Sequence, residues 1–304
     1  MSNEVKKLIL LPHVKVHNAN ALSSPFSIGV PAMTAWLGAV HALQRKLNQD
    51  DFADLSFNAT GVISHECDLQ THKGVGDYVS SIIGTGNPLD KTGSRSAFIE
   101  EARCHLDVSL LIEFTGINKN EEERVLDRIS HHLYSRMKMA GGDIKGFDSP
   151  TTYRVEEGNS IDLAKITRQL MPGYAIVERR DLMVEAMEAG QDAMDALIDN
   201  LAVHHSCEKN DDEVIWSSYR QSKGWIVPIA TGFHGITKLG QAKNQRNEEA
   251  PHRFAESIVT LGEFKMPHRV TSIDELLWRY SVNNDLYLCE QIKDQPSDEW
   301  AEFY

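Results

Sequence analysis

Cysteine is scarce: Cys67, Cys104, Cys207 and Cys289 stand far apart in 304 residues, with no CxxC pair. That spacing excludes a zinc ribbon or a disulfide framework and suits a reducing cytoplasm. No apolar run approaches the roughly 18–20 residues that span a bilayer. The opening MSNEVKKLILLPH has a short apolar run and no small-residue cleavage site, so neither a membrane span nor a secretion signal is expected. Catalytic signatures are missing too: there is no GxSxG, no supported DxD-like pair and no RNP1 aromatic motif. The segment GTGNPLDKTGS fails as a phosphate loop, because Asp90 stands where a glycine should precede Lys91 and no buried strand leads into it. It reads instead as a flexible loop carrying Lys73, Lys91 and Arg95.

Positive charge is in deficit: 44 acidic against 31 basic residues give a net charge of −13. This argues against a free-standing nucleic-acid binder, which needs positive potential. Yet acids are absent from two windows. Residues 5–49 hold Lys6, Lys7, Lys15, Arg45 and Lys46 and no Asp or Glu. Residues 214–247 hold Arg220, Lys223, Lys238, Lys243 and Arg246 beside Trp216, Tyr219, Trp225 and Phe233. Bases interleaved with aromatics suit single-stranded nucleic acid, where bases stack and phosphates pair; chance segregation on a solvated face is the plainer alternative.

Residues 8–47 organise what is present. LILL and the alternation from Val14 to His17 predict a strand over 5–17, with a bulge at Pro12. A polar loop, Asn18 to Pro25, then leads to a helix over 32–47 that buries Met33, Trp36, Leu37, Val40, Leu43 and Leu47. Small residues feeding a helix N-terminus can leave backbone N–H groups aimed outward, as an anion site requires. Alternating patterns predict strands over 57–70, with one dry face, and over 102–114. The glycine-rich connection at 74–100 between them is too long for a simple turn. A helix over 120–140 stopped by Gly141-Gly142 and a strand over 151–156 complete βαββαβ, the ferredoxin-like order, which leaves one sheet face open. Beyond it, the pattern predicts a helix over 160–170, a strand over 174–177, an acidic helix over 181–203, a strand over 225–230 and a helix over 272–281 with a Ser272/Glu275 capping box. The domain boundary is expected near 157, separating 1–157 from 158–304.

Thirteen histidines raise metal or nuclease chemistry. His65/Cys67 and Cys104/His105 meet no zinc spacing, and no metal or other cofactor is expected. His41 or His105 could act as a general base in metal-independent RNA cleavage, with no partner in sight for either.

HNANALSSP followed by a helix ending in HALQRKL resembles the Csy-type subunit that caps the 5′ end of the guide RNA in type I-F CRISPR surveillance (Cascade) complexes. The resemblance continues in order through EEARCHLDVSLLI, RMKMAGG, RQLMPGYAIVERRDL, GWIVPIATGFHGI, HRFAESIVTLGEFKMPHRV and DELLWRY. It implies a non-catalytic RNA-binding subunit of the RAMP superfamily, with an α+β, ferredoxin-like body, a thumb-like hairpin at about 74–100 and a C-terminal α/β elaboration. The implied partners are the crRNA 5′ handle, the large subunit, the first backbone subunit and, in the assembled complex, target DNA, all in the cytoplasm and away from membranes. Chemistry and family position together nominate Asn18, Asn20, Ser23, Ser24 and Arg45 as RNA contacts. Lys138, Gly141 and Gly142 follow, then Arg103, Arg246 and Arg253. Competing readings are a guide-processing ribonuclease of the same superfamily and a protein-only scaffold.

Overall fold

The computed structural model describes residues 5–291, apart from 86–87, 96–98, 136, 211–212 and 246. Its elements are α+β, with five α-helices and one large antiparallel sheet among the described residues. Strand β1 (Val5–Asn20) leads to α1 (Met33–Gln49), β2 (Ser56–Leu69) and β3 (Arg103–Thr115). Helix α2 (Glu122–Ser135), the short β4 (Lys138–Met139), β5 (Gly142–Gly146) and β6 (Thr151–Glu156) follow. β5 and β6 pair with successive parts of β1, β1 pairs with β3, and β3 with β2, all antiparallel.

The LILL run needs two cores because its side chains alternate across the sheet. Ile9 and Leu11 enter the larger core with Trp36, Leu43, Val125 and Ile129, on the side of α1 and α2. Leu8 and Leu10 enter a second core with Ile63, Leu111, Ile166, Leu170, Ile273 and Leu276. The expectation of an open sheet face and of one dry face on β2 is therefore corrected. Ala59, Thr60, Gly61, Val62 and Ile63 are all buried, from both sides. Each large aliphatic side chain on the second face gains about 1.5–3 kcal/mol by that burial, so exposure would be costly.

The second half supplies the cover. It contains α3 (Ser160–Gln169), β7 (Tyr174–Glu178), α4 (Arg180–Glu188), α5 (Ala193–Leu201), β8 (His204–Asn210) and β9 (Glu213–Tyr219). β10 (Ile226–Gly235), β11 (Ala255–Lys265), β12 (Trp278–Asn283) and β13 (Leu286–Gln291) complete it. The main sheet runs on from β2 into β7, β11, β10, β13 and β12, and β12 returns to β2 through Trp278 opposite Thr60. Trp278 is fully buried and its indole N–H donates to the Ile176 carbonyl at 2.9 Å. Pro228 is tolerated because β13 pairs with β10 only from Gly232, leaving that side of Pro228 unpaired.

Three helix boundaries differ from the sequence pattern. The helix expected over 120–140 stops at Ser135, and Lys138 to Gly146 form a hairpin turned by Ala140 (φ 47) and Gly141 (φ 78). Both turn residues need positive φ, which is what a tight two-residue hairpin demands. The 181–203 helix is two helices separated at Gly190 (φ 97). The Ser272/Glu275 capping box exists, but it caps a single 3-10 turn, Ile273–Leu276, before the chain extends into β12. The 74–100 connection carries two short ladders: Thr71–His72 with Ser81–Ile82, and Gly84–Thr85 with Ile99–Glu100.

Candidate functional site

Two bulges break the β1–β3 ladder, one between Leu11 and Val14 and one between Val16 and Ala19. Each contains a non-glycine residue at positive φ, His13 (49°) and Asn18 (61°). Asn and His are both among the residue types enriched in that conformation. At the outer bulge the Asn18 backbone N–H donates to His105 Nδ1 at 3.0 Å. A main-chain N–H can only donate, so Nδ1 presents its lone pair inward and the ring proton sits on Nε2. His17 stacks on His105, with centroids 4.1 Å apart and planes 15° apart. Asn18 is exposed, and its side-chain amide bonds to none of the described residues.

The polar loop expected from Asn18 starts later: β1 runs on through Asn20, and the chain then turns inward on itself. The Asn20 backbone N–H donates to the Ala140 carbonyl at 2.8 Å, tying the strand end to the hairpin turn. The Asn20 side chain closes a local turn, donating to the Leu22 carbonyl and accepting from the Leu22 N–H. Leu22–Ser24 and Ser27–Ile28 form a tiny hairpin in which Ser24, buried, accepts from the Phe26 N–H and pairs with Ser27. Ser23 also bonds Ser27. The cradle of free N–H groups expected from this loop is thus largely consumed inside it.

The open space lies beside the loop. A groove of about 440 Å³ is lined by Asn20 and Ser23, by the small face of α1 (Pro31, Ala32, Ala35, Gly38, Ala39 and Ala42) and by Lys138, Ala140 and Gly141. α1 has no side-chain cap and no acid in its first turn, so its positive end faces the groove unopposed. Gly38 sits on this wall with nothing but the Tyr280 hydroxyl near a would-be Cβ, so it widens the groove rather than admitting another backbone. Lys138 is exposed and pairs with Asp143 at 3.0 Å, which holds the Asp143 carboxyl below its usual range.

The remaining nominated residues divide. Arg45 is exposed on α1, one heptad step beyond Gly38, and joins no ion pair among the described residues. Arg103 lies opposite Asn20 in the β1–β3 register and pairs with Glu101 at 2.8 Å. Gly141 is open, whereas a Cβ on Gly142 would meet His17 O, Val16 Cγ1 and Ala19 N at 2.7, 2.7 and 2.8 Å. Gly142 therefore permits β5 to pack on β1. Arg253 donates to the Thr237 carbonyl and pairs with Asp285, holding two turns of the second half together. Arg246 lies outside the described residues. The aromatics of 214–247 are dispersed: Trp225 packs on Tyr174 and Phe264, and Tyr219 stacks on His204 on the β8–β9 ribbon. The small face of α1 was not assigned to the groove from sequence, and the His17–His105 stack at the bulge was not foreseen. The spacing of Ala35, Gly38 and Ala42 was the available signal for that face.

The inner bulge is wired differently. His13 N–H donates to Ser109 Oγ at 3.1 Å and His13 Nδ1 lies 3.0 Å from Asp107. His65 Nδ1 donates to the Pro172 carbonyl at 2.5 Å, and its Nε2 meets Ser109 Oγ at 2.7 Å. Burial pushes His65 below its ordinary value of 6.5. Ligand atoms of His13, His65 and Asp107 lie within 4.8 Å of one another. The two rings, however, stack at 4.2 Å and 28°, so their in-plane lone pairs run side by side rather than converging as a metal needs. This cluster is a hydrogen-bonded brace joining the first half of the chain to the loop before β7.

Residues 9–289 match the family described as CRISPR-associated protein (Cas_Csy2). The chain is also 31% identical over 306 residues to the CRISPR-associated protein Csy2 of Pseudomonas aeruginosa (strain UCBPP-PA14), covering 91% of this chain and 92% of that protein. The chain belongs to the Csy2 family of CRISPR-associated proteins and is a type I-F Csy subunit.

Proposed function

We propose that this subunit is a non-catalytic RNA-binding protein that holds the crRNA 5′ handle in the groove between the Asn18–Ser24 loop, α1 and the Lys138–Gly142 turn. One observation carries the reading: the fold gathers Asn20, Ser23, Lys138 and Gly141, distant in sequence, around one groove beside an unopposed helix N-terminus. Such a groove offers amides, hydroxyls and one ammonium to phosphates and 2′-hydroxyls, contacts that position RNA without reading its sequence. Asn18, two residues before Asn20, and Arg45, three residues after Ala42, do not line it but lie close to it in the chain.

The spatial order of the strands supports a ferredoxin-like, RAMP-type body: the fourth lies beside the first, the first beside the third and the third beside the second, with both helices on one face. The paired ribbons at 71–100 are the thumb in this reading, and residues from 158 onward are the C-terminal elaboration. The acidic balance of the rest fits a cytoplasmic subunit held by protein interfaces, with the large subunit at the tail of the complex and the first backbone subunit as neighbours, close to entering target DNA. Absence of catalysis is part of the proposal. His105 spends its Nδ1 lone pair on Asn18, which leaves that nitrogen no role as a base while the bulge is intact.

Photo-crosslinking of the assembled complex tests the reading. RNA adducts are expected within residues 18–45 and 138–142; an RNA-bearing complex with none there would overturn it. Incubation of the purified chain with repeat RNA, without metal, should give no cleavage. Specific cleavage abolished by His41→Ala or His105→Ala would replace the proposal with the ribonuclease reading.

A further inference from the structure

Two of the four cysteines meet on the β2–β3 ladder. Cys67 lies opposite Leu106 and Cys104 opposite Leu69, so the two are diagonal neighbours on one face of the pair. The two side chains are near enough that each acts on the other's ionisation. Cys67 is exposed, whereas Cys104 is fully buried and its S–H also reaches towards the Ala19 carbonyl at 3.9 Å. Cys207 and Cys289 have no such neighbour: Cys207 is exposed on the β8–β9 ribbon, opposite Trp216, and Cys289 is buried. An accessible sulfur beside a protected one is the arrangement that lets a thiol oxidise and then be resolved within the chain.

We propose that Cys67 and Cys104 form an oxidisable pair, Cys67 reacting with peroxide and Cys104 resolving it to an intrachain disulfide. Hydrogen peroxide is the oxidant. The Cys67 thiolate attacks one peroxide oxygen, the O–O bond breaks, and the departing hydroxide takes up a proton to leave as water. The sulfenic acid on Cys67 is then attacked by the Cys104 sulfur. An S–S bond forms, the S–O bond breaks, and a second water leaves carrying the Cys104 proton. Two thiols lose two electrons and one peroxide is reduced to two waters.

The direction of the pair follows from its contacts. Cys104 draws the Cys67 thiol below its ordinary range, while Cys67 and burial push Cys104 well above its own. Cys67 is thus the nucleophile towards peroxide, and Cys104 acts only once a sulfenic sulfur is beside it. A diagonal pair must draw closer than its resting separation to reach disulfide geometry. The bulge between Ser64 and Glu66, next to Cys67, gives β2 slack for that movement.

Stoichiometric hydrogen peroxide on the full chain, followed by denaturing alkylation and a non-reducing peptide map, tests the proposal. The Cys207→Ser variant removes the other exposed cysteine. A cross-linked Cys67–Cys104 peptide, with Cys289 still free, is the expected product. Free Cys104 alongside Cys67 sulfinic acid, or Cys67 joined between two molecules, would overturn it. Cys104→Ala should convert the product to a persistent sulfenic acid trapped by dimedone at Cys67, and no adduct there would equally overturn it. Should that variant fail to fold, the map of the Cys207→Ser protein decides alone.

Discussion

The two bulges of β1 are five residues apart, both carry a non-glycine at positive φ, and both place one imidazole flat against another. They nevertheless do different work. At His13 the backbone N–H and ring Nδ1, and both ring nitrogens of the stacked His65, find protein partners, down to a serine with no exposed surface. At Asn18 the backbone N–H is satisfied by His105 and the side-chain amide is left to solvent. The first bulge braces the fold, and the second presents groups beside a groove. Satisfaction of hydrogen bonds, more than residue type, separates a bend closed on itself from one that leaves polar groups free.

Variants can sharpen that contrast. Ser109→Ala should have the largest effect, because it removes the acceptor of His13 N–H and the partner of His65 in a buried site. Each orphaned group costs about 1–3 kcal/mol, read as a lower urea midpoint with handle affinity per folded molecule unchanged. Gly142→Ala should follow, since its Cβ would press on three atoms of β1; overpacking of that kind costs about 1–3 kcal/mol. A Gly142→Ala protein with wild-type stability would show that β5 need not pack so closely on the outer bulge.

At the outer bulge itself, His105→Phe keeps the stack on His17 but removes the acceptor. On the proposed function, handle affinity should fall about tenfold, or ~1.4 kcal/mol, while His105→Asn, which restores an acceptor, recovers part of it. Equal losses in both variants would argue that the ring itself, not its Nδ1, matters. Asn18→Gly preserves the positive φ and deletes only the amide, so melting should barely move while handle affinity falls several-fold. Unchanged affinity in a filter-binding assay would remove Asn18 from the site.

The inner bulge should also carry a small pH dependence. His65 has a folded value below its ordinary 6.5, so the unfolded chain binds the proton more readily. Its contribution to stability is full above that ordinary value and is lost as pH falls through the depressed folded value. The urea midpoint should therefore decline on acidification below about 6.5, and His65→Gln should flatten that decline.

Much of the first half was legible because its signals are local. The 3–4 spacing from Met33 to Leu47 matches the buried face of α1, and alternation from Ala102 to Phe114 matches that of β3. The end of α2 was misplaced because good helix formers run on to Lys138, and only packing of Met137 and Met139 into the core draws the chain out. AESIVTLGEFK and EVIWSSY are rich in β-formers and form strands, but neither alternates cleanly enough between apolar and polar residues for its pattern to predict one.

By itself the sequence determined the family, through ordered motifs along nearly the whole chain, and the helix and strand periods of the first half. It also determined the acid-free window that flanks the groove. Only the tertiary structure decided that the second sheet face is closed, that Gly142 packs while Gly141 stays open, and that Lys138 comes to Asn20 and Ser23. The reason is physical: periodicity reports which side of an element is buried, but what lies against that side depends on contacts between residues more than a hundred positions apart.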